Sequence, residues 1–225
     1  MIQRRAQPWL GTLVEITAEG DAAAALVAAS DRAFARVAAI HDAMSFQDAA
    51  SELTRVNLGA QRDWTALSPD LAAVVAAALD VARASRGLFD PSVAGRLVEA
   101  GLLPRHAGFP AATVTDWQAI EFDGDRVRFA APLLIDLSGI AKGYAVDRAL
   151  ACLVEAGVAA ATVNAGGDLA LAGAVGVPVY VRLPHQPTTS LRLAELTHGA
   201  AATSADYFQP RHLRHPRSGA ALCTT

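Results

Sequence analysis

The run Ile135-Asp136-Leu137-Ser138-Gly139-Ile140-Ala141-Lys142-Gly143-Tyr144-Ala145-Val146-Asp147 holds the residues best spaced for chemistry. An apolar stretch ends in an acid and a glycine turn, then enters a helix with a lysine in its first turn. Backbone N–H groups, a helix N-terminus and an ammonium gather in such a turn, and a phosphate or diphosphate needs that combination. On its own the run defines only an anion site, because neither the P-loop spacing nor the dinucleotide fingerprint is present. Asp136 reads equally well as a strand-end turn residue, and Lys142 as a solvated helix lysine.

Three further groups could carry chemistry. Asn164-Ala165-Gly166-Gly167-Asp168 closes a β run with two glycines and an acid, which suits either a ligand lying on bare backbone or a plain hairpin turn. In Gly87-Leu88-Phe89-Asp90-Pro91, Asp90 reads as a helix N-cap or as a ligand contact. Ser204, Asp206, Tyr207, His212 and His215 form a polar cluster around Pro216-Arg217-Ser218-Gly219, where histidine beside serine and aspartate suits proton transfer. Ser51-Glu52-Leu53 followed by Asn57 reads as a polar turn of little intrinsic specificity.

The elements that must hold these groups follow from periodicity and turn chemistry. Leu13 to Ala18 alternates as a strand after the Gly11-Thr12 turn, and Asp21 caps a helix running to about Met44. Ser45 to Gln61 is expected as a surface loop with at most one helical turn. Ser68-Pro69 starts a helix that Gly87 stops, and Asp90-Pro91 opens a shorter one. Ile120–Phe122 and Val127–Phe129 flank Asp123-Gly124-Asp125 as a hairpin. A strand at Leu133–Leu137 and a helix from about Ile140 to Ala156 come next. Strands are then expected at Ala161–Asn164, Leu169–Leu171, Val177–Leu183 and Leu191–Leu196. Helices early and strands late give an α+β architecture, expected as a single compact unit over residues 1–225.

Composition narrows the function classes. With 52% hydrophobic and 18% charged residues the chain is expected to be a globule and not a disordered polymer. A net charge of −3 argues against a nucleic-acid binder, so any polyanionic ligand needs a local site. Cys152 and Cys223 make neither a disulfide scaffold nor a metal-ligand spacing. No stretch reads as a membrane span or a signal peptide, so a cytoplasmic location is expected, or a periplasmic one if the N-terminus is incomplete.

Taken in order, these fragments resemble the ApbE family, the FAD:protein FMN transferases. The matching pieces are Leu10-Gly11-Thr12 (leucine where the family has methionine), Met44-Ser45, Ser51-Glu52-Leu53 with Asn57, and Gly87 to Pro91. Asp136 to Asp147, Asn164 to Asp168, Thr203 to Tyr207 and His212 to Gly219 complete the series, which spans about Trp9 to Gly219. The resemblance implies a T-fold-like mixed sheet with packed helices, FAD as substrate and Mg²⁺ at its diphosphate. It also implies transfer of FMN to a threonine or serine hydroxyl of an acceptor protein, such as a subunit of a membrane redox complex, with release of AMP.

The same resemblance assigns residues. Leu10, Phe46, Gln47, Leu88, Phe89, Asp90, Asp136, Lys142, Gly166, Gly167, Asp168 and Arg214 would contact FAD. The Gly139 carbonyl would ligate the metal, and His212 would be the general base. Two departures stand out. His215 replaces a family acid, and the chain ends at Thr225, six residues after Gly219, without the family's C-terminal strand and metal-binding helix. The expectation is therefore a C-terminally short flavin transferase domain, with a non-catalytic FAD-binding protein or an FAD pyrophosphatase as alternatives.

Overall fold

The structure, a computed structural model, describes residues 1–173, 176–183, 186–203 and 220. The early elements are β1 (Ile2–Trp9), β2 (Thr12–Glu19), α1 (Ala23–Met44), α2 (Glu52–Gly59), β3 (Thr65–Ala66) and α3 (Pro69–Ala84). Next come α4 (Ala94–Glu99), β4 (Ile120–Phe122), β5 (Arg126–Phe129) and α5 (Ser138–Glu155). The chain then turns to strands: β6 (Ala160–Ala165), β7 (Asp168–Ala172), β8 (Val177–Leu183), β9 (Gln186–Leu196) and β10 (Gly199–Ala201). Contacts group the described chain into two units. Unit 1 takes the N-terminal residues to His41 and the chain from Lys142, and unit 2 takes Asp42–Ala141. The divisions fall inside α1 and α5. Among the described residues no helix is long and apolar enough to cross a membrane.

Unit 1 is built on a five-stranded antiparallel sheet in the order β1-β2-β6-β7-β10. Val14, Ile16 and Ala18 of β2 share one face with Ala161, Val163 and Ala165 of β6, as a period of two requires. Against that face pack Leu26, Ala29, Ala33, Phe34 and Val37 of α1, with Val146, Ala149 and Leu153 of α5. The three- and four-residue steps of the α1 stripe are those the sequence displays. Small alanines on both sheet and helices let the layers approach closely. Strands β8 and β9 form a separate two-stranded ribbon.

Two tight hairpin turns order this sheet. Trp9 pairs with Thr12 across Leu10-Gly11, and Ala165 pairs with Asp168 across Gly166-Gly167. All four turn residues have positive φ: 56° and 70° in the first turn, 60° and 105° in the second. That is the requirement of two-residue hairpin loops whose twist matches the strands. At Gly166 a second constraint applies, since a Cβ would collide with the Thr12 side chain.

Unit 2 surrounds an extended segment, Leu133–Leu137, whose apolar side chains are buried. The sequence suggested a strand there. The structure instead gives one isolated parallel bridge, Val93 to Leu134, and supplies the remaining hydrogen bonds from side chains and loops. The Asn57 Nδ2 amide donates to the Ile135 carbonyl at 2.9 Å, and the Ile135 N–H donates to Asn57 Oδ1 at 2.8 Å. Gln61 Nε2 donates to the Leu133 carbonyl, and the Asp136 N–H donates to the Pro91 carbonyl at 2.9 Å. Asn57 is 0% exposed and lies on α2, within the stretch read from sequence as a surface loop. That expectation is corrected: Ser51 caps α2 through the Thr54 N–H, and Leu53, Thr54, Val56 and Asn57 face inward. Polar residues there satisfy buried backbone and not water, which is why composition alone read them as a loop.

The rest of unit 2 follows its local signals. Ser68 caps α3 through the Leu71 N–H with proline next, and the Gly87 N–H closes the helix end on the Ala82 carbonyl at 2.8 Å. Strand β5 lies between β3 and β4 in a small antiparallel sheet. Replacing Asn57 by alanine leaves a donor and an acceptor of Ile135 buried without partners. Such a change costs about 3 kcal/mol, so chemical denaturation of Asn57→Ala should show that loss with an unchanged m-value.

Candidate functional site

In unit 2 the sequence-singled residues gather where the Leu133–Leu137 segment enters α5. Asp136 Oδ1 accepts the Ser138 N–H at 3.2 Å and Oδ2 accepts the Ser138 hydroxyl at 2.6 Å. The acid thus closes the start of the helix from two residues upstream, while the Leu137 carbonyl accepts the Ile140 and Ala141 N–H groups at 2.9 and 2.7 Å. Burial pushes the Asp136 carboxyl above its usual range, against the opposing pull of the Ser138 and Leu137 hydrogen bonds. Ser138 and Gly139 remain exposed. At this position Gly139 N–H has no intrahelical acceptor. A Cβ on Gly139 would lie 3.2 Å from Phe89 Cε2, so the ring is seated directly against this bare backbone.

Phe89 and Asp90 come from the loop after α3. Asp90 Oδ1 accepts both the Ser92 N–H at 2.8 Å and the Ser92 hydroxyl at 2.6 Å. The fully buried Ser92 hydroxyl oxygen in turn accepts the Asp116 N–H at 2.8 Å. Asp90 is therefore an Asx turn that fixes the loop, and α4 begins only at Ala94, without a side-chain cap. Leu88 is 65% exposed beside it. Phe46 sits elsewhere in unit 2, buried among His106 and Phe109, while its neighbour Gln47 is exposed.

In unit 1 the Gly166-Gly167 turn brings its neighbours together. Asn164 Oδ1 accepts the Gly167 N–H at 3.1 Å, locking the turn from its own strand. Thr12, next to Leu10-Gly11, abuts Gly166, and Thr203 lies 3.3 Å from where a Gly167 Cβ would stand. Asp168 Oδ2 stands 3.9 Å from Lys142 Nζ, with both side chains half-buried or less exposed. Burial raises the Asp168 carboxyl above its usual range, and the Lys142 charge pulls it partly back. His212 and Arg214, with the rest of the C-terminal polar cluster, lie outside the described residues.

The structure thus joins Lys142 with Asp168, Gly166 with the Leu10-Gly11-Thr12 turn, and Phe89 with Gly139. Sequence reasoning gave Asn57 no structural role and passed over Ser92, His106 and the pairing of Thr12 with Gly166. Only Asn57 carried a usable signal, its place in a run whose other polar residues cap a helix. Among the described residues no group of three His, Cys, Asp or Glu side chains could hold a metal ion. A carbonyl at Gly139, already an acceptor within α5, does not make a magnesium site alone.

These features define an α+β protein of the T-fold-like class. The sequence profile of the ApbE family matches residues 10–221, and the chain belongs to that family. A Rhodobacter capsulatus protein, an FAD:protein FMN transferase, is 33% identical over 165 residues, covering 63% of this chain and 30% of that protein. The chain therefore spans under a third of that relative's length. The ApbE protein of Thermotoga maritima superposes with a TM-score of 0.79 at 26% identity, over 92% of this chain and 71% of that one. The flavin transferase ApbE of Vibrio cholerae gives 0.79 at 26% identity, over 97% and 77%. The Pseudomonas stutzeri flavinyl transferase ApbE, at 23% identity and a TM-score of 0.79 over 99% and 77%, shares the fold.

The Lys142–Asp168 pair makes a prediction with a definite sign. The raised Asp168 pKa favours the protonated folded state, so its stability contribution is complete below the ordinary carboxylate range. It is lost as pH rises through the folded pKa. Lys142→Ala leaves burial unopposed, so Asp168 should titrate at higher pH in that variant. Carboxyl-carbon NMR titration checks this, and Asp168→Asn should remove the corresponding slope from the pH–stability curve.

Proposed function

We propose that this chain is an FAD-binding member of the ApbE family, and that nucleotide capture is the activity its described residues support best. The observation that carries the reading is the first turn of α5, where Ser138 and Gly139 stand exposed just after Asp136. The Gly139 N–H has no intrahelical acceptor, a donor at a helix N-terminus suits a phosphate oxygen, and Lys142 follows along the same helix. Leu88, Phe89 and Asp90 of unit 2, and Leu10, Gly166, Gly167 and Asp168 of unit 1, are proposed as further FAD contacts. Phe46 belongs to that set through its backbone, since its ring is buried.

A second reading, FMN transfer to an acceptor hydroxyl with release of AMP, is favoured by family membership and by the activity named for the Rhodobacter capsulatus relative. Its chemistry needs a base at the incoming hydroxyl, for which His212 is proposed, and Arg214 at the nucleotide. When bound, a magnesium ion would neutralise charge at phosphorus. The described side chains do not compose a site for that ion. An acceptor threonine or serine in a redox-complex subunit is the partner this reading requires.

One experiment separates the readings. The full chain is incubated with FAD and Mg²⁺, with and without a threonine-containing acceptor peptide, and products are resolved by mass spectrometry beside an FAD thermal-shift titration. Capture predicts an FAD-dependent rise in Tm with FAD recovered intact, and a Lys142→Ala variant with weaker FAD affinity. An FMN mass increment on the peptide establishes transfer, and AMP with free FMN in the absence of acceptor establishes pyrophosphatase activity. A melting temperature indifferent to FAD rejects capture.

A further inference from the structure

Ser85 follows the last residue of α3 and gives both of its oxygens to the loop beyond it. Its carbonyl accepts the Leu88 N–H at 3.2 Å, and its hydroxyl oxygen accepts the Phe89 N–H at 3.0 Å. The same hydroxyl donates to the Ala82 carbonyl at 3.2 Å, so one O–H joins the last turn of the helix to the loop. Between them Arg86 and Gly87 stand at φ 55° and 78°, two left-handed residues that turn the chain out of α3. Two consecutive N–H groups are held on one residue, and the second belongs to Phe89.

The far end of the loop is fastened independently. The Pro91 carbonyl accepts the Asp136 N–H at 2.9 Å, and Val93 bridges to Leu134. The loop is therefore tied to α3 at one end and, at the other, to the segment that leads into α5. Between those ties it carries the Phe89 ring, whose Cε2 lies 3.2 Å from where a Gly139 Cβ would stand. Gly139 is exposed and Phe89 only partly buried, so an atom that meets the Gly139 backbone is within reach of the ring as well.

From this geometry we infer that Ser85 is a positioning residue for nucleotide binding, whose hydroxyl seats the Phe89 ring on the Gly139 backbone at the first turn of α5. This rests on the FAD-capture reading above, whose site Phe89 meets through that contact. The serine itself does not touch the ligand. It holds the Phe89 peptide, the peptide aims the ring, and the ring walls one side of the exposed Gly139 donor. The Ala82 carbonyl also accepts the Gly87 N–H at 2.8 Å, so removing the Ser85 hydroxyl releases Phe89 and leaves the helix end closed.

The test compares the full wild-type chain with Ser85→Ala, Ser85→Thr, Phe89→Ala and the Ser85→Ala/Phe89→Ala double variant. FAD affinity is followed by flavin fluorescence. The Gly139 amide shift is followed by NMR without ligand, where the Phe89 ring current reports its seat. Threonine keeps the hydroxyl. The expected result is a loss of about fivefold in affinity for Ser85→Ala, the scale of one hydrogen bond. Recovery is expected in Ser85→Thr, and no further loss when Ser85→Ala is added to Phe89→Ala. The Gly139 amide should move in Ser85→Ala in the direction that Phe89→Ala moves it, and return in Ser85→Thr. Wild-type affinity in Ser85→Ala, no recovery in Ser85→Thr, or additive losses overturn the positioning role. A wild type that ignores FAD overturns the capture reading instead, and an unmoved Gly139 amide overturns the seating of the ring separately. A Phe89 amide that exchanges with solvent unprotected in the wild type also overturns it, whether or not Ser85→Ala folds.

Discussion

Unit 2 depends on a single side chain imitating a neighbouring strand. The Leu133–Leu137 segment is apolar and buried, so its peptide groups must find partners away from water. A sheet would normally provide them. Here Asn57 gives Ile135 one donor and one acceptor at strand-like distances, and Gln61 reaches Leu133 from one turn further along the chain. The amide is suited to this because it carries both functions in one plane, as a peptide does. Everything downstream inherits that placement: Asp136 follows directly, is held by Pro91 through its N–H, and sets the first residue of α5. A hydrophobic residue at position 57 would fill the volume equally well and leave the segment unanchored.

Unit 1 achieves order differently, through turns too tight to vary. The two hairpin loops each need two consecutive residues at positive φ, and glycine fills three of the four positions. Leu10 is the exception at φ 56°, a conformation costing a residue with a Cβ about 1 kcal/mol or more. The β1–β2 ladder, registered from Ile2–Glu19 to Trp9–Thr12, over-determines the turn and holds the strain. The consequence is positional: a strained leucine at a fixed hairpin tip, and Thr12 set against Gly166 of the neighbouring hairpin.

How much of this was legible beforehand depends on whether a residue's partner is local. The caps at Ser68 and the stop at Gly87 act within a few residues, and both follow from the sequence. So do the β4–β5 hairpin and the buried stripe of α1. Strand β1 was not legible, because Ile2-Gln3-Arg4-Arg5 lacks apolar alternation; paired among the described residues with β2 alone, it needs none. Helix α2 hid behind its polar residues, whose partners lie up to 78 positions away. The Leu133–Leu137 segment misled in the opposite sense, since a short apolar run states that backbone is buried but not who pairs with it. Family resemblance named candidate site residues along the chain. It could not show that Asp90 spends its carboxylate on Ser92, or that Phe46 turns inward.

The Lys142–Asp168 pair shows why local geometry must decide the electrostatics of a chain whose net charge is −3. On the proposed FAD-capture reading an overall negative field repels the diphosphate, and among the described residues the Lys142 ammonium and the dipole of α5 would supply the local attraction. An acid beside that ammonium would cancel it if the two were tightly bonded. They are not: 3.9 Å is beyond the 2.7–2.9 Å or so of a charge-assisted hydrogen bond. Burial also weakens the acid, lifting its pKa by disfavouring the charged form. Lys142 therefore stands near Asp168 without a close hydrogen bond to it. The same burial that penalises the carboxylate strengthens the ammonium's attraction for an incoming anion, because both act through the lowered local dielectric.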